Sequence, residues 1–354
     1  MPVSSLTLNY DALLSTTLFN YRKEIEDNIS TENALFWWLK NKREKGMRGV
    51  DNIGERIQIP LMYELGRADF YSGYDLLDVT PMDGITSAFY DWTQMSVPVS
   101  ISRKEERQNS SEAQILDLLE TKIEQAEMGI QELFGKALLQ GNLPNGGSPN
   151  TNYVSTSNGS SGFDPLGKLI QRDPTSALVV GNIAQNTYSW WRNQVKDFNG
   201  ITTNIGLLNA LRNLYNNCTK GPGKNPDLGV FDQASYELYE TALAAAHRNP
   251  SYVDANIPFE NIKLKAATLV WDQFVADHYT PGALGSNLGT LLLINTKFIE
   301  IRYDKQTNFI STPFQRPVNQ DAKTSQILWM GATCTSNRRK NGIGFRIPNA
   351  TVLT

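Results

Sequence analysis

The chain has 354 residues, enough for about two domains at the usual ~150 residues each, and ample to bury a core without covalent staples. Its net charge of -3 excludes the strong basic bias of a dedicated nucleic-acid binder, and its 19% of charged residues falls below the ~25% of average soluble domains. Two cysteines, Cys218 and Cys334, without metal-type spacing exclude a disulfide framework and make reduced thiols the expectation.

In chain order, residues 9–45 read as two helices separated by Asp27-Asn28-Ile29-Ser30. Leu13, Leu14, Leu18 and Ile25 space the first; Ala34, Leu35, Trp38 and Leu39 space the second, with Ser30 or Thr31 as N-cap. From Arg56 the period changes to two. Ile57, Ile59 and Leu61 alternate with polar residues and Pro60, as do Met95, Val97, Val99 and Ile101 with Pro98 and three serines. The turn-rich stretch Glu64–Ser87 separates the runs, so the pattern reads as a long two-stranded excursion. Its prolines suit edge positions. A lone hairpin is marginal in water, so this one is expected to rest on something else.

The clearest element is a helix over 111–140. Ile115, Leu119, Ile123, Ala126, Ile130, Phe134 and Leu138 recur on one face, Ser111 and Gln114 form a capping box, and Gly141 stops it. Asn142–Gly162 is rich in Asn, Ser and Gly and reads as an exposed loop or linker. Strands and helices then alternate: a strand at Ala177–Val180, a helix at Ile205–Cys218, a strand at Leu228–Phe231, a helix at Gln233–Ala246, and strands at Ala267–Trp271 and Thr290–Ile294. This is the pattern of an α/β layer. Phe298–Tyr303 and Gln326–Thr335 return to strand character.

Catalytic machinery is not legible. His247 and His278 are the only histidines; the first reads as a helix-end residue and the second as a solvated loop residue. Gly162–Leu169 fits most of the phosphate-loop pattern, but Leu169 replaces the metal-ligating hydroxyl and Pro165 removes an amide. Neither a cofactor nor a metal is expected. No apolar run approaches the ~20 residues needed to span a bilayer, and the N-terminus lacks a signal-peptide pattern, so synthesis in a cytoplasm and no membrane partner are the expectation. The Trp37-Trp38 and Trp190-Trp191 pairs read first as core packing. Arg338, Arg339 and Lys340 read equally as a solvated terminal turn or as a basic cluster that touches DNA or an acidic neighbour.

Taken in order, these pieces resemble a known family. The resemblance is carried by Glu55–Leu61, Tyr71–Asp75, Gly84-Ile85-Thr86, Trp92-Thr93-Gln94, Val99–Ser102, the helical run Leu118–Met128, and Trp190–Val195. Pro313–Pro317 with Asn319–Ala322, Gln326–Trp329 and Ser336–Arg339 complete it. Together they are similar to the major capsid proteins of tailed bacteriophages, and the similarity spans about residues 30–345. It implies a mixed α+β fold of the Hong Kong 97 type. The N-terminal arm would be 1–45, the extended E-loop 46–103, the P-domain with its spine helix 104–175, and the axial A-domain 176–296. Residues 297–354 would return to the P-domain.

The implied function is a non-enzymatic shell subunit that assembles with itself into hexamers and pentamers, in a virion built in the bacterial cytoplasm. Scaffold, portal and decoration proteins would be further partners, and packaged double-stranded DNA a non-specific one. The expected inter-subunit residues are Trp38, Arg56, Tyr74, Trp92, Arg316 and Asp321, and Arg338, Arg339 and Lys340 would be basic residues facing the lumen. No lysine lies between Lys45 and Lys104, so a covalent crosslink through an E-loop lysine is not available. The ~45 residues before the E-loop leave no room for a fused scaffolding domain, so a separate scaffold or none is expected. Two other readings stand beside this one: an encapsulin-like compartment shell, and an α/β enzyme with an acidic site.

Overall fold

The structure, a computed structural model of the chain, describes residues 35, 38–39, 47–51, 54–77, 80–81, 83–108, 118–140, 164–221, 225–245, 262–272, 275, 288–317 and 320–348. The two N-terminal helices (apart from Leu35, Trp38 and Leu39), the Ser111 capping box, the 142–162 loop, Trp37 and both histidines lie outside these residues. The described parts form two compact units. One draws on Gln94–Phe134 and Gln306–Met330, the other on Asn33–Thr93, Gly135–Lys305 and Gly331–Thr354.

The larger unit is organised on a six-stranded mixed sheet. Its strands are β7 (Gln194–Asp197), β8 (Leu228–Phe231), β9 (Ile262–Leu264), β10 (Ala267–Trp271), β11 (Leu288–Ile294) and β14 (Gly342–Pro348), in the order β7-β14-β11-β8-β10-β9. β8 and the Leu291–Ile294 half of β11 are apolar without alternation because both faces of these central strands are buried. Two helices, α4 (Asn204–Thr219) and α5 (Gln233–Ala245), share one core with the sheet, where Leu211, Leu214, Tyr239 and Ala242 meet Leu269 and Leu291. Thr203 caps α4 by accepting from Gly206 N at 3.1 Å.

Asp232 caps α5 and also binds the sheet: its carboxylate accepts from Ser235 N at 3.3 Å and from Thr290 N at 2.8 Å. A Cβ added at Gly289 would overlap the Ser235 hydroxyl and crowd that carboxylate. Gly289→Ala is therefore expected to cost about 2–3 kcal/mol, from overpacking and a displaced cap. A lowered urea midpoint at unchanged slope is the readout, and an unshifted midpoint would contradict it.

The resemblance implied that 297–354 supplies the return strands of the P-domain and the C-terminus. β14 departs from that, because it lies between β7 and β11 in the α/β sheet, parallel to the first and antiparallel to the second. Its Gly342 and Gly344 admit the Cys218 and Phe198 side chains, with a Cβ at either position meeting them at 2.6 Å. The expected strand at Ala177–Val180 shortens to β5 (Val179–Val180), which pairs with β6 (Ile183–Ala184) across Gly181-Asn182. Both turn residues have positive φ, as a two-residue type I′ hairpin requires.

A second sheet has the order β1-β12-β13-β4, from β1 (Met47–Val50), β12 (Ile299–Ser311), β13 (Ala322–Thr335) and β4 (Thr93–Ser102). β4 is an edge strand, as its Pro98 demands. In the smaller unit Val99 and Ile327 pack with Ala126 and Ile130 of α2 (Leu118–Gln140), the described part of the expected long helix. Phe134 of α2 meets Trp329 edge-on at 5.0 Å. Ser102 and Glu105 exchange hydrogen bonds at the start of α1 (Arg103–Gln108), a capping box the sequence reading did not single out.

Candidate assembly surface

The excursion expected from 56 to 101 is built differently. β2 (Arg56–Met62) pairs antiparallel with β3 (Ile85–Asp91), with Ile57 opposite Tyr90 and Ile59 opposite Ala88. The run at 95–101 belongs instead to β4. β3 was not legible because its alternation is inverted: Thr86, Ala88 and Tyr90 are on the inner side, whereas Ile85 and Phe89 face outward.

The hairpin's base rests on its own unit, which is the support that a marginal hairpin needs. Ile57, Ile59, Leu61, Ala88 and Tyr90 are buried. Phe89 N donates to Gly181 O at 3.1 Å, and the Tyr90 hydroxyl donates to Thr335 O at 2.8 Å. Burial raises the pKa of that hydroxyl far above the ordinary phenol value, keeping it a donor. Tyr63 stacks on Trp190 at 5.4 Å, and its hydroxyl donates to Asp83 O, closing the neck of the loop.

Beyond that neck the loop is uncovered. Phe70, Tyr74 and Leu76 are as exposed as in an extended peptide, at 108%, 105% and 101%. Met62, Leu65, Tyr71, Leu77 and Ile85 are also exposed. A turn shapes the tip: Asp75 N donates to Ser72 O at 3.1 Å, Ser72 N donates to the Asp75 carboxylate at 2.8 Å, and Gly73 takes a positive φ. From Tyr63 to Gly84 the sequence carries Glu64, Asp69, Asp75, Asp78 and Asp83 against the single cation Arg67. Large exposed apolar side chains gathered in one loop are the pattern of a docking surface, and carboxylates among them favour a basic partner.

The expected contact residues fall in different places. Tyr74 is at the tip. Arg56 is exposed at the hairpin base and pairs with Asp91 at 2.8 Å, a surface pair of small energetic weight. Trp92 is half-buried and donates from its indole to Gly54 O at 3.0 Å, so it braces its own chain. Trp38 is half-buried. Arg316 and Asp321 are exposed on the β12–β13 connection of the smaller unit, where Arg103 N donates to Asp321 O at 3.1 Å. Phe70, Leu76 and Leu77 were missed, although their signal was present: large apolar residues inside a turn-rich stretch.

The basic cluster needs a correction. Arg338 is fully buried and Lys340 nearly so, which leaves Arg339 alone exposed. Arg338 donates to Leu169 O at 2.7 Å, Gln185 Oε1 at 2.9 Å and Asn193 Oδ1 at 3.3 Å, over the Trp191 ring. Lys340 donates to Thr219 O and Gly221 O at the C-terminal end of α4, where a cation satisfies free carbonyls. Both are held inside the subunit, so neither is a lumen-facing charge.

Lys168 of the false phosphate loop pairs with Asp164 at 2.6 Å beside the buried turn α3 (Leu166–Leu169). Both cysteines are free and buried, and burial pushes the Cys218 thiol up to about 12. Among the described residues no cluster of His, Cys, Asp or Glu is arranged to hold a metal, and no helix is long and apolar enough to cross a membrane.

No protein-family model matches the chain, and no curated protein does. Solved structures do. A capsid protein of cyanophage A-1(L) is 12% identical over 93% of this chain and 97% of its own, with a TM-score of 0.65. The capsid of Myoviridae phage XM1 is 10% identical over 98% and 99%, at 0.59. The holo encapsulin complex from Synechococcus elongatus is 10% identical over 100% and 99%, at 0.58. At these identities the likeness is one of fold: this mixed α+β chain has the architecture of those shell proteins from end to end.

Proposed function

We propose that this chain, with the fold that tailed-phage capsids share with an encapsulin shell, is a major capsid protein of the Hong Kong 97 type. It assembles with itself into hexamers and pentamers around a phage genome. The observation that carries the reading is the loop tip at 62–77, whose apolar side chains are uncovered by their own chain while the hairpin base is firmly seated. A rigid stem with an uncovered apolar end suits a subunit that completes its burial on a neighbour. In this reading 1–45 is the N-terminal arm, 46–103 the E-loop, 104–175 the P-domain and 176–296 the A-domain. Residues 297–335 return to the P-domain, and β14 belongs with the A-domain sheet. Trp38, Arg316 and Asp321 are proposed contact residues alongside Tyr74.

Contacts are non-covalent, with apolar burial supplying affinity and charge supplying register. The subunit acts by association and not by catalysis. Scaffold, portal and decoration proteins would bind the shell, and packaged DNA would touch its inner face without sequence preference. The full-length match to the encapsulin supports a second reading, a compartment shell that holds protein cargo. Expression of the chain alone, followed by electron microscopy and sedimentation, tests the shell: closed particles or rings are expected. A monomer at high concentration would overturn both readings, whereas nucleic acid against protein inside particles from the native source separates them.

A further inference from the structure

The two helices of the larger unit carry opposite charge on their outer faces. On α4 the outward stripe is Ile205, Asn209, Arg212, Asn213 and Asn216, running on to Lys220. Lys265, at the β9–β10 turn, joins it by donating to Asn216 Oδ1 over the Tyr215 ring. No acidic residue occurs anywhere from Phe198 to Pro226. On α5 the outward stripe is Gln233, Glu237 and Thr241 with Glu240 at its margin, and the helix has no basic residue. Gln233 donates to Glu237 Oε1 at 3.0 Å, which orients that carboxylate.

Position adds a direction to this charge. Both helices lie on one face of the sheet and touch each other, but α4 packs over β14 and β7 towards one edge, and α5 over β11 and β10 towards the other. The outer face of α4 therefore carries cations and that of α5 carboxylates, while Lys265 touches α4 from the β9–β10 turn. Copies match in charge when α4 of one meets α5 of the next, and repeated contacts of that head-to-tail kind generate rings when the rotation closes.

We propose that the Arg212–Lys220 face of α4 in one copy docks on the Glu237–Glu240 face of α5 in the next, and that this contact sets the ring order of the capsomer. The proposal rests on the shell reading above and names the surfaces that meet within it. Exposed pairs contribute little singly, so the contact governs register and encounter and is weakened by salt. Ile205, exposed at the start of α4, supplies apolar area beside the charges.

The test uses two full-length chains, one carrying Arg212→Glu with Lys220→Glu, the other Glu237→Lys with Glu240→Lys. Each alone is expected to assemble at least tenfold less than the unmodified chain at low salt. Their equimolar mixture should recover to within about twofold, because each reversed flank then faces its opposite. Circular dichroism establishes folding. If a reversed chain does not fold, the neutral pair Arg212→Gln with Lys220→Gln replaces it, with about a threefold loss expected. Assembly of the reversed or neutral chains at the unmodified level overturns the proposal and leaves the shell reading intact, as does a folded mixture that fails to recover. An unmodified chain that stays monomeric removes both.

Discussion

Replacing Phe70, Tyr74 and Leu76 together by serine is expected to yield a folded subunit that no longer forms shells. These side chains are uncovered by their own chain, so their removal leaves the core untouched, and thermal stability should change by no more than surface substitutions do. Association is different. Burying a large apolar side chain is worth about 1.5–3 kcal/mol, and each 1.4 kcal/mol is a factor of ten in an association constant. In the proposed shell every subunit would make the contact, so even a fraction of that loss compounds around the particle. Assembled material measured by sedimentation should fall at least tenfold while the melting temperature holds. Unchanged particle yield would sink the assignment of the tip as the docking surface.

Arg338→Met is expected to be the most damaging single substitution inside the subunit. Burial lowers the guanidinium to about 10, so it remains cationic at neutral pH, and three neutral acceptors from three separate segments balance its charge. Methionine fills much of the volume but strands Leu169 O and Gln185 Oε1, each at a cost of about 1–3 kcal/mol before relaxation, while Asn193 Oδ1 keeps Gln171 N at 3.0 Å. A net loss of about 3–5 kcal/mol follows, near the upper end for point substitutions. Arg338→Lys should recover only part of it, because an ammonium cannot reach three divergent acceptors as a planar fork does. Equilibrium unfolding in urea reads both, and a loss below about 1 kcal/mol for methionine would show that the network does not bind these segments together.

These two cases show where the sequence was readable and where it was not. Arg338-Arg339-Lys340 looks like a solvated basic turn because three adjacent cations near a glycine are usually surface. Nothing local indicates that acceptors from residues 169, 185 and 193 converge on the first, or that the frayed carbonyls of α4 await the third. The hairpin failed for a related reason. Alternation at 95–101 is cleaner than at 85–91, so pattern alone chose the wrong partner for β2. Local periodicity reports which strand faces are apolar, and says nothing of which strand is adjacent.

The long helix with Ile123, Ala126 and Ile130 on its packed face, the strands at 228–231 and 267–271 and the helices beginning near 204 and 233 were all determined by the sequence itself. In each, period and capping residues act within a few positions of one another. Tertiary structure alone decided that β3 closes the hairpin, that β14 enters the middle of the α/β sheet, and that two of three adjacent cations are internal. Those outcomes depend on contacts between residues tens to hundreds of positions apart, whose energies no local pattern encodes. The loop at 62–77 lies between the two. Its apolar residues are plain in the sequence, but only the folded hairpin, with its base buried and its tip bare, shows that they are left for another molecule to cover.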